Sequence, residues 1–125
     1  MEIIIEFDDP TPLFTQLVEQ IKKAVKDQKI KSGDPLPSIR QLANDLEINS
    51  KTVAKAYRLL ERDSVIQAKG YRGTFIHEDA VNNCAFDIND WLTTQLEASI
   101  ALLKKSGATD SEIRIAFTNV MNNRN

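Results

Sequence analysis

Residues 33–63 read GDPLPSIRQLANDLEINSKTVAKAYRLLERD, a run that predicts two short helices joined by a tight turn. Ser38, followed three residues later by Gln41, forms a capping box at the start of the first helix. Asn49 or Ser50 is suited to cap the second. The apolar residues repeat at helical spacing, with Ile39, Leu42, Ala43 and Leu46 in the first helix and Val53, Ala56, Tyr57 and Leu60 in the second. This is the pattern of a helix-turn-helix.

The free side of the second helix carries polar and basic residues near its N-terminus, namely Lys51, Thr52 and Lys55. In a helix-turn-helix this end of the second helix enters the DNA major groove, where such side chains bond to base edges and phosphates. Unpaired N–H groups at a helix N-terminus also favour phosphate. A structural interpretation stays open, since exposed lysines are often only solvated and Thr52 can bond to its own backbone.

Residues 65–76 (VIQAKGYRGTFI) follow directly and predict a β-hairpin. Two runs of β-prone residues flank a basic turn that contains glycine. A hairpin in this place forms a wing, whose tip (Lys69, Gly70, Tyr71 and Arg72) is positioned to contact the DNA backbone or minor groove. The alternative is that Lys69 and Arg72 are ordinary hairpin charges.

A further helix precedes this run. Thr11 is suited to cap it and Pro12 to occupy its first position. Its apolar stripe consists of Leu13, Leu17, Ile21 and Ala24. Upstream, residues 3–5 (III) form either a short strand or an arm packed on the core.

After a polar linker at residues 77–85, the pattern predicts two more amphipathic helices. Asp87 is interpreted as a cap of the first, Gly107 as its stop, and Thr109 with Glu112 as a capping box for the second. Two such helices are too small to enclose a drug-sized cavity of about 300 Å³. Their apolar stripes instead predict a homodimer, since symmetric dimers are the commonest oligomers. The residues assigned to dimerisation are Trp91, Leu92, Leu96, Ile100, Leu103, Phe117 and Val120.

Charge is distributed unevenly along the 125 residues, whose net charge is −2. Residues 1–11 carry a net charge of −4, residues 12–76 of +5 and residues 77–125 of −3. A basic segment between acidic ones is typical of a DNA-binding unit.

Several classes of protein are disfavoured by composition. His77 and Cys84 are the only residues of their kinds, which excludes an internal disulfide and argues against a zinc site or a Cys–His nucleophilic pair. We therefore expect no enzymatic activity, no metal and no cofactor. No apolar stretch approaches the roughly 20 residues that cross a bilayer, so a cytoplasmic location without a membrane partner is expected.

Three groups of residues between Gly33 and Phe75 occur in a fixed order, within a match that spans about residues 10–76. They are Gly33-x-x-Leu36-Pro37-Ser38-x-Arg40-x-Leu42-Ala43, Asn49-x-x-Thr52-Val53-x-x-Ala56-Tyr57-x-x-Leu60, and Gly73-Thr74-Phe75. Together they resemble the winged helix-turn-helix of GntR-family bacterial transcription regulators, and the short tail resembles the YtrA-type subgroup. The chain departs from the family pattern at the wing tip, whose glycine is shifted by one, and at Glu47, where glycine is usual. If that position needs a positive φ, Glu47 costs about 1 kcal/mol.

The resemblance implies operator contacts at Arg40, at the start of the second helix-turn-helix helix and at the wing tip. The predicted DNA-binding residues are Arg40, Asn49, Ser50, Lys51, Thr52, Lys55, Lys69, Gly70, Tyr71 and Arg72. We predict a mainly α fold, a winged helix-turn-helix (three helices plus a β-hairpin wing) followed by two C-terminal helices. The DNA-binding domain is expected at residues 1–76 and a helical dimerisation tail at residues 77–125. The predicted function is a dimeric repressor that binds a palindromic double-stranded DNA operator, and the alternative is a winged-helix module that binds another protein.

Overall fold

The computed structural model describes residues 2–123, which form two compact units, one ending at Phe86 and the other beginning at Asp87. The first unit contains α1 (Leu13–Lys26), β1 (Pro35–Leu36), α2 (Ile39–Leu46), α3 (Ser50–Arg62), β2 (Ile66–Ala68), β3 (Thr74–Ile76) and α4 (Ala80–Cys84). The second contains α5 (Ile88–Lys105) and α6 (Asp110–Asn122). The predicted winged helix-turn-helix followed by two helices is confirmed.

The helix α3 is central to the first unit, because it packs against both α1 and α2. Leu17 of α1 and Val53 and Leu60 of α3 are fully buried, as the apolar stripes predicted. Burying an aliphatic side chain of this size contributes about 1.5–3 kcal/mol. The expectation that Ile39 belongs to the buried face of α2 is wrong. As the first residue of that helix it is 36% exposed and borders an open groove.

The wing belongs to a three-stranded antiparallel sheet of order β1-β3-β2. In the predicted hairpin, Ile66 of β2 pairs with Ile76 of β3. The sequence did not predict β1, in which Pro35 pairs with Phe75 on the other side of β3. Proline is tolerated there because an edge strand need not donate every backbone N–H group.

Residues 3–5 form an arm, and the alternative of a strand is wrong for them. The outer isoleucines of the arm pack against the core. Gln20 accepts from the Ile4 N–H group through Oε1 (2.9 Å) and donates to its carbonyl through Nε2 (2.6 Å). Gln16 accepts from the Glu6 N–H group (2.9 Å) and donates to its carbonyl (3.0 Å). These two glutamines satisfy the backbone of the arm much as a neighbouring strand would.

The start of α1 differs from the expectation by one residue. Pro12 and not Thr11 is the N-cap, and no side chain caps this helix. The Thr11 N–H group donates to Asp9 Oδ1 (2.8 Å), and the Thr11 carbonyl accepts from Gln16 Nε2 (2.9 Å). Thr11 therefore lies outside the helix because its backbone is engaged in a turn with Asp9.

The expected polar linker at residues 77–85 is wrong, because it contains α4. This short helix packs against α1 and buries Ala80 and Cys84, which lie four residues apart on one face. Asn83 Nδ2 donates to the Ser64 carbonyl (2.7 Å) and ties α4 to the end of α3. The first compact unit consequently extends beyond the boundary that was expected directly after the wing.

In the second unit, the predicted caps are confirmed. Asp87 Oδ1 accepts from the Asn89 N–H group (2.9 Å), and Thr109 forms a reciprocal capping box with Glu112. Gly107, at φ 104°, follows α5. Neither α5 nor α6 contains a buried residue. Within residues 2–123, no helix is long and apolar enough to cross a membrane.

Candidate nucleic-acid interface

The two helices of the helix-turn-helix begin at side-chain caps. Ser38 Oγ accepts from the Gln41 N–H group (3.1 Å) at the start of α2, and Asn49 Oδ1 accepts from the Lys51 N–H group (2.8 Å) at the start of α3. Asn49 is therefore the cap of α3. The sequence alone did not decide between Asn49 and Ser50. Between the helices, Glu47 adopts a left-handed conformation (φ 55°, ψ 45°). The positive φ suggested by the family pattern is thus present here, on a residue with a β-carbon.

Tyr57 fixes α3 against the segment that precedes α2. Its side chain is 2% exposed, and its hydroxyl donates to the Pro37 carbonyl (2.7 Å). The hydroxyl is protonated at physiological pH even at the ordinary tyrosine pKa near 10, and burial raises the pKa of Tyr57 further, to about 12. The interpretation of Tyr57 as a core residue is confirmed, and its hydroxyl joins α3 to the segment that precedes α2.

The first two turns of α3 present the side chains that the sequence singled out. Ser50, Lys51 and Lys55 are exposed, and Thr52 is half-buried. The Lys55 ammonium lies over the Phe14 ring of α1, with Nζ 3.8 Å from the ring centroid. Among the described residues, Lys51 has no such ring contact, whereas Lys55 lies against a ring of α1.

Arg40 is exposed on α2 and lies close to the start of α3. Arg40 and Ser50 both border an open groove of about 520 Å³, which also has apolar walls from Ile39 and Ile48. The structure therefore brings two of the predicted contacts, one from each helix, to the same groove.

Sequence reasoning missed Arg58. It is exposed on α3 seven residues after Lys51, which places the two side chains on the same helix face about two turns apart. The heptad spacing from Lys51 was the available signal. The exposed face of α3 thus carries positive charge along most of its length.

The wing tip is a tight turn with a solvent-exposed aromatic residue. Residues 70–72 form one turn of 3₁₀-helix between the strands, and Tyr71 is 96% exposed. Lys69 lies 5.1 Å from the Phe75 ring centroid and Arg72 lies 6.0 Å from that of Tyr71. Gly70 has φ 62°, a value that glycine adopts at little cost. The shifted glycine therefore serves the turn, and one cation, Arg72, lies beside the exposed Tyr71 ring, while Lys69 lies over Phe75.

The acid at the end of α3 is neutralised inside the protein. Asp63 is bound by Lys22 Nζ (2.9 Å) and Arg62 Nε (2.8 Å), and its side chain is 6% exposed. Burial raises the pKa of the Asp63 carboxyl, but the hydrogen bonds from Arg62 and Lys22 outweigh it and hold the pKa below its ordinary value. Among the described residues, the ion pairs do not involve Arg40 or Lys51, so these charges stay available.

No group of three or more His, Cys, Asp or Glu side chains within residues 2–123 is arranged to hold a metal ion. The lone thiol, Cys84, is buried against the core, and burial raises its pKa. The chemistry available on this unit is therefore that of exposed cations, amides and hydroxyls, which suits binding to a polyanion.

Comparison with known proteins gives a family for the same region. The model of the family described as "Bacterial regulatory proteins, gntR family" matches residues 13–76, just over half of the chain. The match begins with α1 and ends with β3, so it covers the helix-turn-helix and its wing.

The similarity extends to individual proteins and to solved structures. The chain is 36% identical to the HTH-type transcriptional repressor YtrA of Bacillus subtilis over 95 residues, which are 76% of this chain and 65% of that protein. It thus spans slightly less than two thirds of that relative. A transcriptional regulator from Oenococcus oeni is similar in structure, with a TM-score of 0.59, 32% identity and coverage of 94% of this chain and 97% of that one. YtrA from Sulfolobus acidocaldarius, a GntR-family transcription factor, gives a TM-score of 0.57 at 27% identity, covering 95% and 96% of the two chains.

Proposed function

The chain belongs to the GntR family of bacterial transcription regulators, and we propose that it acts in the cytoplasm as a dimeric repressor that occupies a palindromic operator. The observation that carries the proposal is that Arg40 on α2 and Ser50 on α3 border one open groove, with the exposed Lys51 next to Ser50 in the first turn of α3. Repression is favoured by the similarity to the B. subtilis repressor YtrA.

Base contacts are assigned to the N-terminal turns of α3. Ser50 and Lys51 project from the first turn, and a lysine or small hydroxyl there is able to bond to base edges in the major groove. Asn49 contributes differently, because its Oδ1 atom is already engaged as the cap of α3. Its role in the proposal is to orient the helix start, with its amide nitrogen as the remaining donor.

The wing is assigned to the DNA backbone and minor groove. Lys69 and Arg72 supply positive charge, and Tyr71 supplies an aromatic surface that the protein itself does not cover. Basic side chains in a narrow minor groove read its shape and potential more than its base edges. We therefore expect the wing to add affinity that depends weakly on sequence.

Dimerisation is assigned to the tail. Trp91, Leu96 and Ile100 on α5 are 49%, 44% and 36% exposed, and Phe117 and Val120 on α6 are 50% and 73% exposed. Large exposed apolar side chains that share one face mark an interaction surface, and we infer that these residues form such a face. We propose that this surface binds a second copy of the chain, because a two-fold dimer presents two recognition helices to half-sites about one helical turn apart.

A mobility-shift titration tests the proposed function. The probe is the DNA upstream of the protein's own gene, with a shuffled sequence of equal length as the competitor, at two salt concentrations. Arg40→Ala and Lys51→Ala should each weaken operator binding by about 1–3 kcal/mol, because each removes a base or phosphate contact. Lys29→Ala, an equal charge change on an exposed lysine after α1, is the matched control and should change little.

Different outcomes separate the candidate functions. Binding that falls steeply with salt and prefers the upstream DNA supports an operator-binding regulator, because phosphate contacts release counterions. Unchanged titration curves for both variants would remove Arg40 and Lys51 from the interface. The absence of any salt-sensitive DNA binding would instead favour a module that binds another protein.

A further inference from the structure

The contact between Lys55 and Phe14 joins α3 to α1 at the edge of the proposed DNA surface. Lys55 Nζ lies 3.8 Å from the centroid of the Phe14 ring. Among the described residues, the other cation–ring contacts are longer, at 5.1 Å for Lys69 and 6.0 Å for Arg72. A cation within about 6 Å of a ring face is attracted by the negative face of the ring.

The Phe14 ring is held in place by its packing in the first unit. It is the second residue of α1, it is half-buried, and it packs against the hydrophobic core of the first unit. Lysine carries its charge on a flexible four-carbon stem that is otherwise free to sample many rotamers. The ring contact therefore favours one position of the Lys55 ammonium over the others, while its side chain remains exposed to solvent.

The direction of the side chain limits what Lys55 does in a DNA complex. Its ammonium lies over a ring that belongs to α1, whereas Lys51, one turn earlier on α3, has no ring contact of this kind among the described residues. A lysine held in this way does not reach a base edge in front of the helix without leaving the ring. It still reaches a phosphate, because the strands border the groove on both sides of a recognition helix and the ammonium keeps N–H donors that point away from the ring.

We propose that Phe14 is a positioning residue that holds the Lys55 ammonium beside α3 as a fixed phosphate-binding charge, which takes no part in reading bases. The inference rests on the proposed DNA-binding function and assigns a role within it. Lys55 and Lys51, which the sequence placed together, thereby have different roles. Lys55 adds affinity for any DNA, and Lys51 contributes to the choice of operator.

A double-mutant cycle of Phe14→Leu and Lys55→Met tests the proposal on the full chain. Binding to the upstream DNA and to the shuffled DNA is measured across a salt series. Lys55→Met should weaken binding to both DNAs by the same factor and reduce the slope of log affinity against log salt by about one. Phe14→Leu should weaken binding to both about two- to fivefold, the range expected for an exposed cation–ring contact, and keep the slope because Lys55 stays charged.

The second half of the cycle separates positioning from a general loss of structure. In the Lys55→Met background, Phe14→Leu should cause no further loss of DNA binding, because there is no ammonium left to position. Phe14→Tyr keeps the ring face and should bind both DNAs with wild-type affinity. Thermal unfolding of each variant, followed by circular dichroism, confirms that equally folded proteins are compared.

Two results would overturn the inference. One is a loss from Phe14→Leu that is as large in the Lys55→Met background as in the wild type. The other is a Lys55→Met variant that loses affinity for the upstream DNA alone, which would make Lys55 a base-reading residue. If the wild-type protein binds neither DNA, the proposed function itself is wrong, and that outcome is distinct from either of these.

Discussion

Glu47 is strained, and its replacement by glycine should stabilise the protein. It occupies the left-handed region at φ 55° and ψ 45°, directly after α2. For a residue with a β-carbon this conformation costs roughly 1–2 kcal/mol, because the β-carbon approaches the following carbonyl oxygen. Glycine has no β-carbon and adopts the same conformation at little cost.

The net gain from Glu47→Gly is smaller than the relieved strain. Glycine has more conformational freedom in the unfolded chain, and this offsets about 0.4–1 kcal/mol. The Glu47 side chain is exposed, so little packing is lost on its removal. The free energy of unfolding should therefore rise by about 0.5–1 kcal/mol. For a unit of this size the corresponding rise in Tm is about 2–8 °C.

Thermal and urea unfolding followed by circular dichroism measure this change. Glu47→Ala removes the same charge but keeps the β-carbon, so its stability should stay within about 0.5 kcal/mol of the wild type. Gln28→Gly is a positive control, since Gln28 lies after α1 at φ 58°. An equal gain from Glu47→Ala would attribute the effect to charge. No gain from Glu47→Gly, when Gln28→Gly does stabilise, would refute the strain.

Two further predictions concern the tail and the buried ion pair. Leu96→Asp should convert the dimer to a monomer, because burying an unpaired carboxylate in an apolar interface is costly. Size-exclusion chromatography with light scattering measures the change. A wild-type protein that is already monomeric would contradict dimerisation. Asp63→Asn should lower the free energy of unfolding at pH 7 by about 1–3 kcal/mol, since a charged hydrogen-bond acceptor is lost. The folded-state pKa of Asp63 is depressed, so its contribution is present above the unfolded pKa of about 4 and is lost as pH falls through the folded value. The free energies of unfolding of the wild type and of Asp63→Asn, measured by urea denaturation at a series of pH values, should therefore become equal in acid. A difference that stays constant with pH would contradict this assignment.

Features with a local physical cause were predictable from the sequence. Ser38, Asn49 and Thr109 each cap a helix through a hydrogen bond to an N–H group two or three residues later, and such bonds need no tertiary contact. The buried faces of α1 and α3 were also predictable, because the spacing of apolar residues along a helix is a local property of the sequence. The hairpin could be predicted because its strands are neighbours in the chain.

Features that depend on distant contacts were not predictable. The strand β1 consists of two residues and exists only because Phe75, forty residues later, pairs with Pro35. The helix α4 is five residues long, too short to show a helical period, and it is ordered by packing on α1. At the candidate site, the position of Lys55 was invisible for the same reason, since Phe14 lies on another helix.

The proposed dimer explains how the helices of the tail are stabilised. Isolated helices shorter than about 12–15 residues are marginal in water, and most helical stability comes from burying an apolar face. The helix α6 has 13 residues and buries none of them, although Phe117 and Val120 lie on it. The capping box at Thr109 and the exposed ion pair between Lys104 and Asp110 contribute only modestly. A second copy that covers this apolar face would supply the missing burial, so the order of the tail and the pairing of the two recognition helices should be lost together on dilution.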